Sequence, residues 1–323
     1  MGAFHLTLLT WPDYISPATL DQFGIETGSS VNLEVVPSAV ELVERVRRGP
    51  PVDLLCPPDY AVKELAAEGR LLALDRHRLP NSSNLAPEFA GNRPHDPRNL
   101  YTVPKDWGTT GYMIRRDCVP DPAHSWADFW KLANRYTGRI TVLDSPGEII
   151  GAALKMRGRS YNAGDADAMG QVRTDLAALR PHLLTFATDY RPLLTSGEAW
   201  ISLGWNGEAA TLSRLGVSIE YVLPDEGSQI WEDDWAIAAE SSHPEEAHAF
   251  LDFILRADVA CQEALYTGYA TPNLPAWRIL PEAIRTDPAI YPPPEVRARL
   301  EYGQPISPAG AGMRDAVWRS FRD

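Results

Sequence analysis

The chain has 323 residues, 44% of them hydrophobic, a formal charge of −13 and a pI near 5.0. That length supports one large core or two medium ones. An acidic surface repels nucleic-acid phosphates and draws cations inward, so nucleic acid is excluded as a partner and a cationic ligand fits. Cys56, Cys118 and Cys261 are far apart, odd in number and without C-x-x-C spacing, which points to buried apolar thiols rather than disulfides or zinc. No stretch approaches the roughly 20 apolar residues of a membrane helix. The opening Phe4 to Thr10 has neither a basic leader nor a cleavage site, so it reads as a strand and not as an export signal.

In chain order, Leu6 to Thr10 is predicted as a strand, followed by a helix through Thr19–Phe23 that ends near Gly28. Val31 to Val36 alternates as a second strand, and Ala39 to Arg48 is a helix stopped by Gly49-Pro50-Pro51. Asp53 to Cys56 has the apolar run of a buried parallel strand, and Tyr60 to Ala67 is helical. This β-α-β-α-β opening describes a doubly wound α/β sheet. In such sheets ligands sit beyond the carboxyl ends of strands, where Trp11, Asp13, Asp59 and Tyr60 fall.

Leu79 to Asn99 reads as loop. Tyr101–Pro104 and Gly111–Ile114 are predicted as two strands on either side of a crossover at Trp107-Gly108-Thr109-Thr110. A second α/β unit follows: a helix from Trp126 capped by Ser125, a strand over Ile140 to Leu143, helices over Ile149 to Met156 and Asp165 to Leu179, and a strand over Ala199 to Leu203. The acids Asp144 and Glu148 lie where a strand hands over to a helix. Ser242-His243-Pro244-Glu245 has the pattern of a capping box, which places His243 and His248 on a surface helix.

Aromatic residues stand beside acids in Trp11-Pro12-Asp13-Tyr14, Asp59-Tyr60, Trp205-Asn206-Gly207-Glu208 and Trp231-Glu232-Asp233-Asp234-Trp235. Aromatic faces attract an organic ammonium through the ring quadrupole, and a carboxylate neutralises its charge. Brought to one place, these segments make a receptor for a small aliphatic amine. Catalytic patterns are missing from the sequence: there is no G-x-S-x-G, P-loop, G-x-G-x-x-G or H-E-x-x-H. A carboxylate-dependent enzyme is the remote alternative.

With these residues in hand, the chain resembles the periplasmic spermidine/putrescine-binding proteins, the capture subunits of bacterial ABC importers. The resemblance runs through Trp11-Pro12-Asp13-Tyr14, Tyr101–Pro104 with Trp107-Gly108, Ser125–Trp130, Gly204–Gly207, Pro224–Gly227, Trp231-Glu232-Asp233 and Gly268–Leu274, in family order. It implies a two-lobed type II fold, each lobe a mixed sheet flanked by helices, that closes on a ligand in the interlobe cleft. Residues 1–108 and 233–278 would form the first lobe, and 110–231 with 279–323 the second. It also implies an aromatic wall of Trp11, Tyr14, Tyr60, Trp205, Trp231 and Tyr269, and carboxylates at Asp13, Glu148 and Asp233. Gln304 is a further polar contact by the same resemblance, and Ser145, beside Asp144, takes the place of a family acid. A membrane permease is the implied protein partner, the chain is expected to be a monomer, and no cofactor is implied. The implied location is periplasmic, or extracellular and membrane-associated, with the export leader expected to lie outside this sequence. Arg191 falls in a segment that borders family ligands and would suit a carboxylate. A zwitterionic ω-amino acid such as 4-aminobutyrate is therefore the alternative ligand.

Overall fold

The computed structural model describes residues 4–323, and the chain divides into two compact units. The first comprises residues 1–107 and 231–286, the second residues 108–230 and 287–323. The chain thus passes between units three times, the last time eight residues later than the expected crossing near 278. The segment after 278 stays with the first unit because helix Leu274–Ile279 packs against helix Ala257–Thr267.

In the first unit, β1 (His5–Thr10) pairs in parallel with β2 (Ser30–Val35) and with the two-residue β3 (Leu54–Leu55). β4 (Thr102–Arg115) begins in this unit and ends in the next. The two expected strands are therefore one continuous element, extended through Trp107-Gly108-Thr109-Thr110. The buried residues along it explain why it does not break: nearly every backbone group must find a ladder partner. In the second unit, β5 (Ile140–Val142) pairs in parallel with β6 (Leu183–Phe186) and with β7 (Ile201–Trp205), while β8 (Ile219–Val222) and β7 flank β4 in antiparallel register. β9 (Ile230–Ile237) returns the chain to the first unit, where it pairs antiparallel with β3.

Pleating alternates the side chains of the first unit between two cores. Leu8, Leu54, Trp235 and Ile237 pack with Phe23 and Phe250 on one side, and Leu9, Leu55 and Ala236 pack with Leu42 and Val62 on the other. Along β9 the same alternation sets Trp231, Asp233 and Trp235 apart from Glu232 and Asp234. The second unit packs helices Trp126–Arg135, Pro146–Met156 and Ala166–Leu179 around Tyr112, Ile140 and Leu203.

Local signals behave as physics requires. Helix Pro17–Thr27 stops at Gly28, whose φ of 72° is open to glycine at no steric cost and lets its N–H reach Gly24. Ser125 caps its helix by accepting from the Asp128 N–H. The expected capping box at Ser242 does not form. His243 occupies the cap position of helix Pro244–Ile254 without a side-chain bond, because it is drawn to Asp53, 3.1 Å away. His248 is buried rather than on the surface, accepting from the Asp75 N–H at 2.9 Å while its other ring nitrogen meets the Pro244 carbonyl. Cys56 and Cys261 are buried free thiols, and Cys118 is half-buried.

Candidate functional site

Four aromatic residues of the first unit form a continuous edge-to-face row. Trp11 meets Tyr14 with ring centres 5.1 Å apart, Tyr14 meets Tyr269 at 6.0 Å, and Tyr269 meets Trp231 at 5.0 Å. Perpendicular rings of this kind present both edge and face, and the faces are where a cation gains most. The Tyr14 phenol oxygen lies 2.8 Å from Oδ1 of Asp106 and within hydrogen-bond distance of Asp233. Asp106 is in turn ion-paired with Lys105, whose ammonium stands 3.6 Å above the Tyr14 ring. Burial, and next the neighbouring Asp106, push the Asp233 carboxyl well above its usual range, against the pull of Tyr14 and Lys105.

The other face of β9 carries a separate ionic cluster. Arg93 is 2% exposed and binds Asp234, Glu232 at 3.4 Å, Thr102 Oγ1 at 2.6 Å and Asn99 Oδ1 at 3.1 Å. His95 adds a contact to Asp234 at 2.9 Å. Burial alone would raise the Asp234 carboxyl, but Arg93 and His95 override it and hold the group below its ordinary value. Asp59 accepts from the Tyr60 N–H at 2.6 Å and faces the Glu232 N–H at 3.4 Å.

Asp59 is lifted to about 7, mainly by burial and further by Glu232, although His95 opposes the shift. Folded protein therefore binds a proton at Asp59 that the unfolded chain releases between the ordinary aspartate value and about 7. The stability from this group is full below the ordinary value and is lost as pH rises through about 7. Asp59→Asn is expected to flatten the fall in melting temperature between about pH 4 and about pH 7. Parallel melting curves for variant and parent would argue against a protonated Asp59.

In the second unit one carboxylate is buried against aromatic donors. Glu148 sits in the first turn of helix Pro146–Met156 and accepts from the Trp205 indole N–H at 3.1 Å and the Tyr161 phenol at 3.2 Å. With its amide oriented to satisfy both neighbours, Gln229 donates to Glu148 at 2.9 Å and to the Tyr161 oxygen at 2.8 Å. Burial raises the Glu148 carboxyl against those hydrogen bonds. Trp205 is held from behind: its backbone N–H donates to the Tyr190 phenol at 3.0 Å, and a Cβ at Gly204 would collide with that phenol. Gly204 is required there by close approach, which is the physical content of the Gly204-Trp205 motif.

The structure thus groups Trp11, Tyr14, Trp231, Asp233 and Tyr269 in one unit, and Glu148 with Trp205 in the other. The other candidates are placed as follows. Asp13 is exposed at a positive φ of 56°, and Tyr60 is 55% exposed. Asp144 is engaged by Arg322, and half-buried Ser145 precedes its helix without a side-chain cap bond. Gln304 is exposed and is anchored through its backbone N–H to Asn162. Arg191 lies 3.2 Å from Glu208 and 3.8 Å from Asp189, so its guanidinium already faces carboxylates.

Sequence reasoning missed Lys105, Asp106, Tyr161 and Gln229. Lys105-Asp106 did carry a signal, as an adjacent acid and base inside a stretch otherwise fit for a buried strand. Tyr161 and Gln229 had none, because both lie in irregular segments that only the fold brings to Glu148. Among the described residues no group of three or more His, Cys, Asp or Glu is arranged to hold a metal, and no helix is long and apolar enough to cross a membrane.

Comparison with known proteins places this architecture. The family model for bacterial extracellular solute-binding proteins matches residues 18–292. The spermidine/putrescine-binding periplasmic protein of Escherichia coli (strain K12) is 33% identical over 311 residues, covering 95% of this chain and 88% of the relative. Among solved structures, a spermidine/putrescine ABC transporter substrate-binding protein from Streptococcus pneumoniae superposes with a TM-score of 0.87 at 30% identity, covering 99% of each chain. A putative spermidine/putrescine ABC transporter from Listeria monocytogenes superposes with a TM-score of 0.91 at 28% identity, covering 98% of each chain. Fold, matched length and identity agree: this chain belongs to the bacterial extracellular solute-binding protein family.

Proposed function

We propose that the protein captures polyamines of the putrescine and spermidine class for a bacterial ABC importer, working outside the cytoplasmic membrane and without turnover. The observation that carries this reading is the Asp233 carboxyl bonded to Tyr14 of the Trp11–Tyr14–Tyr269–Trp231 row. Rings and an acid in that arrangement suit an alkylammonium: its methylenes lie on the ring faces and its charge meets the carboxylate. In the second unit Glu148 beside Trp205 repeats the pairing of an acid with an aromatic ring. A buried ammonium without a counter-charge would be very costly, so an acid beside the rings is what a cationic guest requires. The names of the relatives, which are spermidine- and putrescine-binding proteins, support the same ligand class. The proposed partner is the membrane permease of the importer.

The ω-amino acid reading depends on Arg191 receiving a carboxylate, and Glu208 and Asp189 already face that guanidinium. A thermal-shift screen of putrescine, spermidine, spermine and 4-aminobutyrate tests the choice. A ligand specific for the native state adds about 2.7 kcal/mol of stability at a hundredfold excess over Kd. Putrescine or spermidine should raise the melting temperature and be recovered unchanged, and Arg191→Ala should leave that shift intact. A shift with 4-aminobutyrate alone, lost in Arg191→Ala, would reject the polyamine reading.

A further inference from the structure

The Tyr14 phenol has one hydrogen but two carboxylate neighbours. Its oxygen lies within hydrogen-bond distance of both Asp106 Oδ1 and Asp233 Oδ2. A single O–H satisfies one acceptor, and two ionised carboxylates would leave the second oxygen facing the phenol oxygen with no proton between them. A second hydrogen is therefore needed in the chain Asp106–Tyr14–Asp233. Lys105 decides where it goes. Its ammonium is ion-paired with Asp106, both side chains being at most 5% exposed, so the negative charge belongs on Asp106. Tyr14 then donates to Asp106, and Asp233 must donate to Tyr14.

We infer that Asp233 carries a proton in the ligand-free protein, that capture of an ammonium group there expels it, and that Lys105 and Asp106 are the positioning pair that sets this state. The proposal rests on the polyamine reading of the same site and deepens it. The exchange balances: R–NH3+ and the Asp233 carboxylic acid give an R–NH3+···carboxylate pair and one proton released to solvent. No other bond changes. Once Asp233 is ionised, Tyr14 keeps its hydrogen and the arriving ammonium supplies the donors that the acid proton supplied before.

The surroundings of Asp233 agree with this state. From the β4 side it faces Asp106, which disfavours a second charge, and Lys105, which favours one. From the segment after β3 it faces Asp59, again disfavouring charge, and the Cys56 thiol, which burial pushes well above its usual range and keeps neutral. Tyr14 is raised well above the ordinary phenol value, chiefly by burial, so it does not give up its own hydrogen. Glu263 faces Lys105 from helix Ala257–Thr267, and burial raises its carboxyl too. The balance leaves one fixed ammonium among several acids, with Asp233 the acid that is bonded to the phenol and not to the ammonium.

The test is calorimetric titration of putrescine into the intact protein in phosphate and in Tris, whose ionisation enthalpies differ. The difference in apparent enthalpy should report release of about one proton per ligand from Asp233, and affinity should rise by up to tenfold per pH unit below the acid's transition. In Asp233→Asn that release and that slope should be lost. Release that survives Asp233→Asn and vanishes in Glu148→Gln would assign the proton to the other acid and overturn the inference. Infrared difference spectra give a readout independent of affinity: a buried carboxylic-acid carbonyl band should disappear on adding putrescine and be missing in Asp233→Asn. Lys105→Met, where it folds, should move the pH transition upward, because the charge that favours ionised Asp233 is gone. An unmoved transition would remove Lys105 from the proposal. Amine binding with no proton release and no such band would sink the inference and leave the polyamine reading standing. A protein that binds no amine, yet shows the band, would sink that reading while keeping the protonated Asp233.

Discussion

Replacing Asp233 by asparagine is expected to weaken putrescine binding by well over tenfold while leaving the melting temperature within a few degrees of the parent. Asparagine keeps the volume and shape of the side chain and removes only its capacity for negative charge. In the folded protein that change is mild, because burial and Asp106 already disfavour the ionised form. In the complex it is severe, since a buried ammonium then lacks a counter-charge. Hydrogen bonds to charged groups contribute about 1.5–3 kcal/mol, and a partner left uncompensated adds to that loss. At about 1.4 kcal/mol per factor of ten, the expected loss exceeds one order of magnitude. Calorimetric titration beside a melting curve separates the two effects. Unchanged affinity would remove Asp233 from the site, and a collapsed melting temperature would make its role structural.

The second large effect concerns the opposite face of β9 and stability rather than binding. Arg93→Met is expected to destabilise the protein by about 3–5 kcal/mol, the cost of breaking a buried ion pair from one side. Asp234 is 0% exposed and Glu232 is 2% exposed, so water cannot replace the guanidinium that now meets them. The methionine also leaves Thr102 Oγ1 and Asn99 Oδ1 without their partner. For a unit of this size the melting temperature should fall by on the order of 10 °C. Arg48→Ala provides the contrast. That side chain is 80% exposed and pairs with Glu44 at 2.8 Å on the surface of a helix, where such pairs contribute about 0.3–0.5 kcal/mol. Equal effects from the two substitutions would mean that the Arg93 cluster is hydrated and not a buried network.

The two expectations meet in one strand. Trp231 and Asp233 reach the aromatic row from the same residues' pleat that turns Glu232 and Asp234 toward Arg93. The five-residue run Trp231–Trp235 packs a recognition face and an anchoring face into consecutive positions. A slip of one residue in β9 would exchange them. The Arg93 network and the bond between Asp233 and Tyr14 thus depend on the same register of β9.

Periodicity and breakers by themselves determined the alternating α/β architecture, because backbone repeat and turn chemistry are local properties. Motif order likewise determined the family, and the aromatic–acid pairs pointed to amine chemistry. Tertiary structure decided which acids face rings. Asp13 and Asp233 both neighbour aromatics in the sequence, yet one is exposed at a left-handed turn and the other is half-buried and bonded to the Tyr14 phenol. Tertiary structure also decided that Lys105 and Asp106 stand at the aromatic row and that Gln229 and Tyr161 meet Glu148. The reason is physical: the charge state of a carboxyl depends on burial and on groups that are distant along the chain. Adjacent letters carry neither quantity.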